Sequence, residues 1–283
     1  MHALICIVLL SLNVDCEIAV VLRPGDKYIH LDMANSSAAY IFTQTREADQ
    51  AAISYIREEW KRMPRILKAW DKANSTLERN CVIPRGLRRE HLVAIRAYTH
   101  PSALFKAFNA ATRQYGVSDD IYEQNFTFKS FHYLLSVALD KLKGKRFQTY
   151  RGSENAFWAR KGKSVRFGQF ASSSLDLMVA KRFMKNVRGE NTLFEIKTKL
   201  GVNVSQYSTI KDEDEVIIPP TEVFNVKYKP CTQKHGNKKW VKIGLQAVGC
   251  QGIVVTVEKT RKGSLRVRRG RGKCPSYCKC SLG

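Results

Sequence analysis

Three short pieces of residues 149–223 decide how this chain reads: Tyr150-Arg151-Gly152, then Phe170-Ala171-Ser172-Ser173-Ser174, then Lys211-Asp212-Glu213-Asp214-Glu215-Val216-Ile217-Ile218-Pro219-Pro220. The first closes a short apolar run (Phe147 to Tyr150), the second closes another (Val165 to Ala171), and the Glu-x-Glu pair opens a third (Val216 to Ile218). Three predicted strand edges therefore each present polar groups. Arg151 can take a pyrophosphate through two parallel, charge-assisted hydrogen bonds, and Gly152 lets the backbone approach a ligand closely. A serine hydroxyl such as that of Ser172 can hold a strand edge or a substrate hydroxyl. A carboxylate such as Glu215 can bond a ribose hydroxyl and stabilise positive charge at a carbon whose bond to nitrogen is lengthening. In an extended segment Glu213 and Glu215 face the same side and reach one ligand. Alone, Lys211–Glu215 reads as a solvated acidic loop, and one arginine among 48 basic residues reads as structural; the three motifs in order reverse that balance.

Outward from these motifs the chain divides by texture. Residues 45–145 are mostly helical. Ile53, Ile56, Trp60, Met63, Leu67 and Trp70 recur at helical spacing between Ala48 and Lys72, with Pro64 expected to kink or split the helix. Further helices are predicted over Arg85–Tyr98, Ala103–Tyr115 and Phe126–Leu142, with Gly116 ending the second. His91 reads as a surface or capping residue. Beyond Lys145 come short β-branched and aromatic runs: Phe147–Tyr150, Ser164–Ala171, Thr192–Lys197, Val202–Val204, Glu215–Ile218, Glu222–Tyr228, Lys239–Val248 and Gly252–Glu258, with one helix between Leu175 and Lys185. The fold class is α+β, a helical front half packed on a strand-rich back half.

The chain has 283 residues, 44% of them apolar, enough for a sizeable core. Its net charge of +23 favours anionic partners such as heparin-like glycans, nucleic acid or membrane and bacterial surfaces. Residues 1–16 read as a secretory signal, with an apolar run from Ala3 to Leu12 and cleavage after Cys16. Six cysteines then remain (Cys81, Cys231, Cys250, Cys274, Cys278 and Cys280), which fits an oxidising compartment and allows fifteen pairings. Sequons at Asn35, Asn74, Asn125 and Asn203 agree with that route. Residues 17–258 read as one domain. Residues 259–283, with nine Lys or Arg and no acid, read as an appended basic tail tied partly by disulfides; their Cys-x3-Cys-x-Cys spacing lacks a fourth zinc ligand, and no apolar anchor signal ends them.

The three motifs, at this spacing, resemble those of the vertebrate-type, arginine-specific ecto-ADP-ribosyltransferases, members of the Arg-Ser-Glu clade that also holds clostridial toxins. The similarity runs from about Leu31 to Val257 and includes Leu31-Asp32-Met33-Ala34, Ala97-Tyr98-Thr99 and Phe126-Thr127-Phe128-Lys129. The resemblance implies a split β-sandwich core, NAD (or NADP) as co-substrate without a metal, and transfer of ADP-ribose to an arginine of an acceptor protein, with NAD glycohydrolysis as a side activity. It assigns Arg151 to the pyrophosphate or adjacent ribose, Ser172 to ordering the nicotinamide-ribose pocket, Glu215 to the ribose 2′-hydroxyl and the anomeric centre, and Glu213 to the acceptor guanidinium. Phe183 resembles the aromatic that stacks on nicotinamide, and Gln206 and Tyr207 lie in the loop that selects the acceptor. Ser174 reads as the cap of the helix starting near Leu175. Glu-x-Glu, rather than Gln-x-Glu, marks arginine as acceptor, since a glutamate pairs with a guanidinium and takes its proton.

The expected protein is a secreted monomer. The family's usual cysteines are missing before Tyr150 and in 193–204, so the disulfide pairing cannot be carried over. The alternative is a basic secreted binding or antimicrobial protein on a silent transferase scaffold.

Overall fold

The computed structural model describes residues 29–31, 39–116, 118–186, 191–236, 238–270, 275–276 and 278–280. The expected signal segment and the Asn35 sequon lie outside them. Six helices form the front block: α1 (Arg46–Glu59), α2 (Pro64–Thr76), α3 (Arg89–Thr99), α4 (Ala103–Tyr115), α5 (Asp119–Asn125) and α6 (Lys129–Leu142). Pro64 splits the first predicted helix, since a proline is tolerated at the first position of a helix and not in its interior; it starts α2. The Thr45 hydroxyl accepts from Ala48 N at 3.0 Å and the Ser118 hydroxyl from Ile121 N at 3.2 Å, capping α1 and α5. The start of α6 is capped from another helix: the Glu59 carboxylate accepts from Lys129 N at 2.7 Å and Ser130 N at 3.0 Å, placing negative charge at the positive end of the helix dipole. His91 does cap its helix, with Nδ1 accepting from Arg88 N at 3.0 Å, but it is fully buried and its Nε2 lies 3.3 Å from Asp49.

The helical stripe is core, as expected. Trp60, Phe108 and Phe131 are fully buried, and rings meet edge-on, for example Phe108 and Phe131 at 4.9 Å between centroids. Each such side chain contributes roughly 1.5–3 kcal/mol by leaving water. Trp60 Nε1 donates to Thr127 O at 2.9 Å, which satisfies its one polar atom.

The back half holds most of the strands: β1 (Ile29–His30), β2 (Tyr40–Phe42), β3 (Lys145–Ser153), β4 (Phe157–Trp158), β5 (Ser164–Val165), β6 (Ala171–Ser174), β7 (Asn191–Asn203), β8 (Glu215–Ile218), β9 (Glu222–Val226), β10 (Cys231–His235), β11 (Lys238–Lys259), β12 (Leu265–Arg269) and β13 (Cys278–Cys280), with α7 (Leu177–Arg182) after β6. The main sheet runs β3-β6-β8-β7-β11-β9-β5; β2, β10, β12 and β13 attach to β11, and β3 also pairs with β7. Strand alternation splits the packing: Phe170 and Ile217 enter the helical core, while Ala171 and Ile218 enter a second core with Phe194, Ile196, Phe224 and Ile243. The architecture is α+β, as the sequence predicts.

Several strands are joined or divided differently from expectation. Residues 192–197 and 202–203 belong to one strand, β7, because Gly201 is a close-packing position and not a break: a Cβ there would lie 2.7 Å from both Thr198 and Val216 side chains. The last two predicted strands fuse into β11, where a register shift between Ala247 and Gly249 absorbs the irregularity. Conversely, residues 164–171 break into β5 and β6, with Gly168 at φ 66° between them.

Residues 259–283, read as an appended tail, contribute two strands to the sheet. β12 folds back antiparallel on residues 255–259 with Leu265 buried, and β13 lies parallel to residues 250–252. A Cys250–Cys278 disulfide pins the second contact; Cys231 and Cys280 are also disulfide-bonded, and Cys81 is a half-buried free thiol. Three arginines of β12 meet acids: Arg269 with Asp119 at 2.6 Å, Arg268 with Glu258 at 2.7 Å and Arg266 with Glu123 at 3.8 Å. Among the described residues no helix is long and apolar enough to cross a membrane.

Candidate active site

One row of the sheet gathers the motifs. Ser174 on β6 faces Tyr150 on β3 on one side and Glu215 on β8 on the other. That register sets Arg151, Ser172 and the Glu-x-Glu segment on three neighbouring strands, although they lie far apart in the chain. Arg151 Nη1 donates to Ser172 O at 2.6 Å, which ties the β3 arginine to the β6 backbone. The Ser172 hydroxyl in turn hydrogen-bonds the Glu215 side chain.

Glu215 is only 5% exposed. Burial pushes its pKa up to about 7; the Ser172 hydroxyl opposes this, the Glu213 carboxylate reinforces it, and Ser208 and Arg151 hold it down. A buried carboxyl that titrates near neutrality, beside a second carboxylate and an arginine, is a physical mark of a functional site. Burial also raises Glu213, against the pull of Arg182 at the end of α7. Arg151 is half-buried, and burial lowers it while Tyr98 and Glu215 oppose that.

The extended geometry assumed for Glu213 and Glu215 does not occur. Lys211–Glu213 form a short 3-10 turn, Asp214 takes a left-handed conformation at φ 43°, and only Glu215 begins the strand. The turn is held by its backbone: Ser174 Oγ donates to Glu213 O at 2.6 Å, and Leu175 N to Asp214 O at 3.2 Å. Ser174 therefore braces the glutamates, and the cap of α7 is Asp176, which accepts from Met178 N at 2.6 Å. Glu213 and Glu215 still feel one another's charge, which the turn achieves in place of strand alternation.

Gly152 has a reason other than ligand approach. A Cβ there would sit 1.9 Å from Ala180 O, so the glycine lets α7 press against β3. Phe183 follows the last residue of α7 with 45% of its surface exposed, so it is not a core side chain. Tyr207, expected to face an acceptor, is buried in the helical core, while Gln206 beside it is exposed.

Two residues of the site went unread. Tyr98, from the buried helix α3, donates to Phe170 O at 2.9 Å and accepts from Asn109 Nδ2 at 3.1 Å, and its phenol feels the charges of Arg151 and Glu215. Its signal was its place in Ala97-Tyr98-Thr99, but an aromatic on an apolar helix reads as core. Ser208 is fully buried and its hydroxyl lies 3.3 Å from Glu215 Oε2; a loop serine carries no sequence signal for that role.

Arginine, serine and paired glutamates across three strands under a helical block are an arrangement that fits a mono-ADP-ribosyltransferase. The crystal structure of the eukaryotic mono-ADP-ribosyltransferase ART2.2 matches 88% of this chain and 98% of its own, with TM-score 0.63 and 28% identity, and a variant of that enzyme crystallised in complex with NAD matches equally well. The chain belongs to the NAD:arginine ADP-ribosyltransferase family, whose profile covers residues 32–249. Ecto-ADP-ribosyltransferase 5 of Bos taurus is 33% identical over 225 residues, 75% of this chain and 68% of that protein. NAD(P)(+)–arginine ADP-ribosyltransferase 2 of Gallus gallus is 45% identical over 147 residues, 50% of this chain and 46% of that protein. The chain thus aligns with about half the length of the chicken NAD(P)(+)–arginine ADP-ribosyltransferases 1 and 2.

Proposed function

We propose that this protein transfers ADP-ribose from NAD to arginine side chains of proteins and releases nicotinamide. The observation that carries this reading is the meeting of Arg151, Ser172 and a buried Glu215 on adjacent strands, with Glu213 in the turn that leads into Glu215. The Arg151 guanidinium suits the NAD phosphates, and Ser172 holds Glu215 in one orientation. Glu215 takes the ribose 2′-hydroxyl and faces the positive charge that develops at the anomeric carbon. That carbon's bond to the nicotinamide nitrogen breaks, its electron pair neutralises the ring, and a guanidinium nitrogen of the acceptor forms the new bond. Glu213, half-buried at the turn, orients the guanidinium and takes its proton. The exposed ring of Phe183 is available to stack on nicotinamide.

The relatives' names support an extracellular setting, as do the disulfide-bonded cysteines and the exposed positions of Asn74, Asn125 and Asn203. An anionic glycan as partner has the support of the +23 charge alone, since Arg266, Arg268 and Arg269 already meet acids.

The test is labelled NAD with a polyarginine acceptor, comparing wild type with Glu213→Gln and Glu215→Gln. Glu213→Gln should lose arginine transfer yet keep some NAD hydrolysis, with water in the acceptor's place, and Glu215→Gln should lose both. Equal activity in all three proteins would refute the assignment.

A further inference from the structure

Ser208 sits in the loop between β7 and the 3-10 turn, seven residues before Glu215, and is fully buried. Its placement is imposed from the helical block. Arg96 of α3 donates through Nη1 to Tyr207 O at 3.3 Å and Ser208 O at 3.2 Å, and through Nε to Thr76 Oγ1 at 3.0 Å. Thr209 adds two contacts to α3: its hydroxyl donates to Arg96 O at 3.2 Å, and its N–H to Thr99 Oγ1 at 3.2 Å. From the other side Ser208 N donates to Val204 O at 2.8 Å, and Val204 N to Glu215 O at 2.9 Å.

A serine hydroxyl has one proton to donate. At Ser208 two acceptors compete for it at nearly equal range, Glu215 Oε2 at 3.3 Å and Ile210 O at 3.2 Å, while Ile210 N donates back to the same oxygen at 3.2 Å. An ionised carboxylate is the stronger acceptor, and a protonated one is not. The hydroxyl therefore turns to Glu215 when Glu215 is charged and falls back to the Ile210 carbonyl when it is not.

We propose that Ser208 is a positioning residue for the transfer reaction: held in place by α3, its hydroxyl selectively stabilises the ionised, reactive form of Glu215 opposite the donor supplied by Ser172. The inference rests on the reading of Glu215 given above. The other groups facing that carboxylate are Arg151 from β3, Glu213 from the turn and the Tyr98 phenol from α3, and none of them has this alternative partner in Ile210.

The experiment is the pH dependence of kcat/KM for NAD with a small guanidine acceptor, which reports the free enzyme, for wild type, Ser208→Ala and Glu215→Gln, with melting temperatures alongside. Losing a donor to the charged form moves the acid limb of Ser208→Ala upward by about 0.5–1 pH unit, in line with a long hydrogen bond to a charged group. On the acid side kcat/KM falls about three- to tenfold below wild type, and the deficit narrows on the alkaline plateau. A limb that stays in place overturns the inference, whatever happens to the melting temperature, because the hydroxyl then serves only to close the Ile210 turn. Should Ser208→Ala fail to fold, Ser208→Cys keeps nearly the same volume with a weak donor and must move the limb the same way. If Glu215→Gln retains full activity, the assignment of Glu215 itself falls; if it is dead while the Ser208 limb is unmoved, only the present inference falls.

Discussion

Replacing the buried carboxyl by its neutral isostere, Glu215→Gln, should stabilise the protein at neutral and alkaline pH and do nothing in acid. Glu215 is 5% exposed, and burial pushes its pKa from an ordinary 4.5 up to about 7. A carboxyl whose folded pKa lies above its unfolded one binds more protons folded than unfolded between the two. Its contribution is therefore fully present below about pH 4.5 and is lost as pH rises through about 7. The gap between the two values, at about 1.4 kcal/mol per pH unit, sets a ceiling of about 3 kcal/mol. Glutamine keeps the shape and accepts one of the two serine hydroxyls less strongly, so a net gain of about 1–3 kcal/mol at pH 8.5 is expected, or roughly 2–8 °C in Tm for a chain of this size. Thermal melts of both proteins at pH 4.5, 6, 7 and 8.5 read it directly. A Tm difference that is the same at every pH, or a variant less stable at pH 8.5, would show that Glu215 is not held charged against its surroundings. A gain confined to high pH would measure the stability given up to keep a reactive carboxylate in a dry site.

Gly152→Ala places a methyl 1.9 Å from Ala180 O, so α7 must move off β3; a loss of about 1–3 kcal/mol in stability and a raised KM for NAD are expected from melts and steady-state kinetics, and an unchanged KM would separate α7 from the nucleotide site. Cys278→Ser opens the Cys250–Cys278 bridge, whose sequence separation is 28; loop-closure entropy gives about 3–4 kcal/mol for that span. Under a thiol reductant wild type and variant should melt together, and an oxidised variant as stable as oxidised wild type would refute a stabilising role for the bridge that pins β13.

What was legible in the sequence follows how local the cause is. Helix α4 was readable over its whole length because one apolar stripe runs from Leu104 to Ala111 and Gly116 ends it, and β8 because Glu215–Ile218 is a compact apolar run between polar neighbours and prolines. Helix α5 was missed: seven residues are too few for a period to show. The glutamates were assigned through alternation along an extended segment, whereas a 3-10 turn and the left-handed Asp214 bring their charges together. Gly201 and Gly168 carry the same letter with opposite effects, one under the crowding of Thr198 and Val216 and the other at positive φ. The approach of Val216 from another strand is part of what distinguishes them. Ser208 is the limiting case, since its role depends on Arg96, which is 112 positions away.

These long-range ties share one source. Tyr98 reaches the backbone of Phe170, which leads into β6, while Arg96 and Thr99 hold the loop that carries Ser208. All three belong to α3, whose Leu92, Val93, Ala94, Ile95 and Ala97 are fully buried. A helix whose middle is buried on every side is enclosed by its neighbours and has no freedom to slide. The strands bring Arg151, Ser172 and Glu215 within reach of one another by register, but register alone leaves each side chain its rotamers. α3 removes that freedom on both flanks of Glu215 at once, through a phenol on the β6 side and a guanidinium on the loop side. The helical half is therefore part of the site, and the order of the carboxylate depends on how tightly α3 is packed.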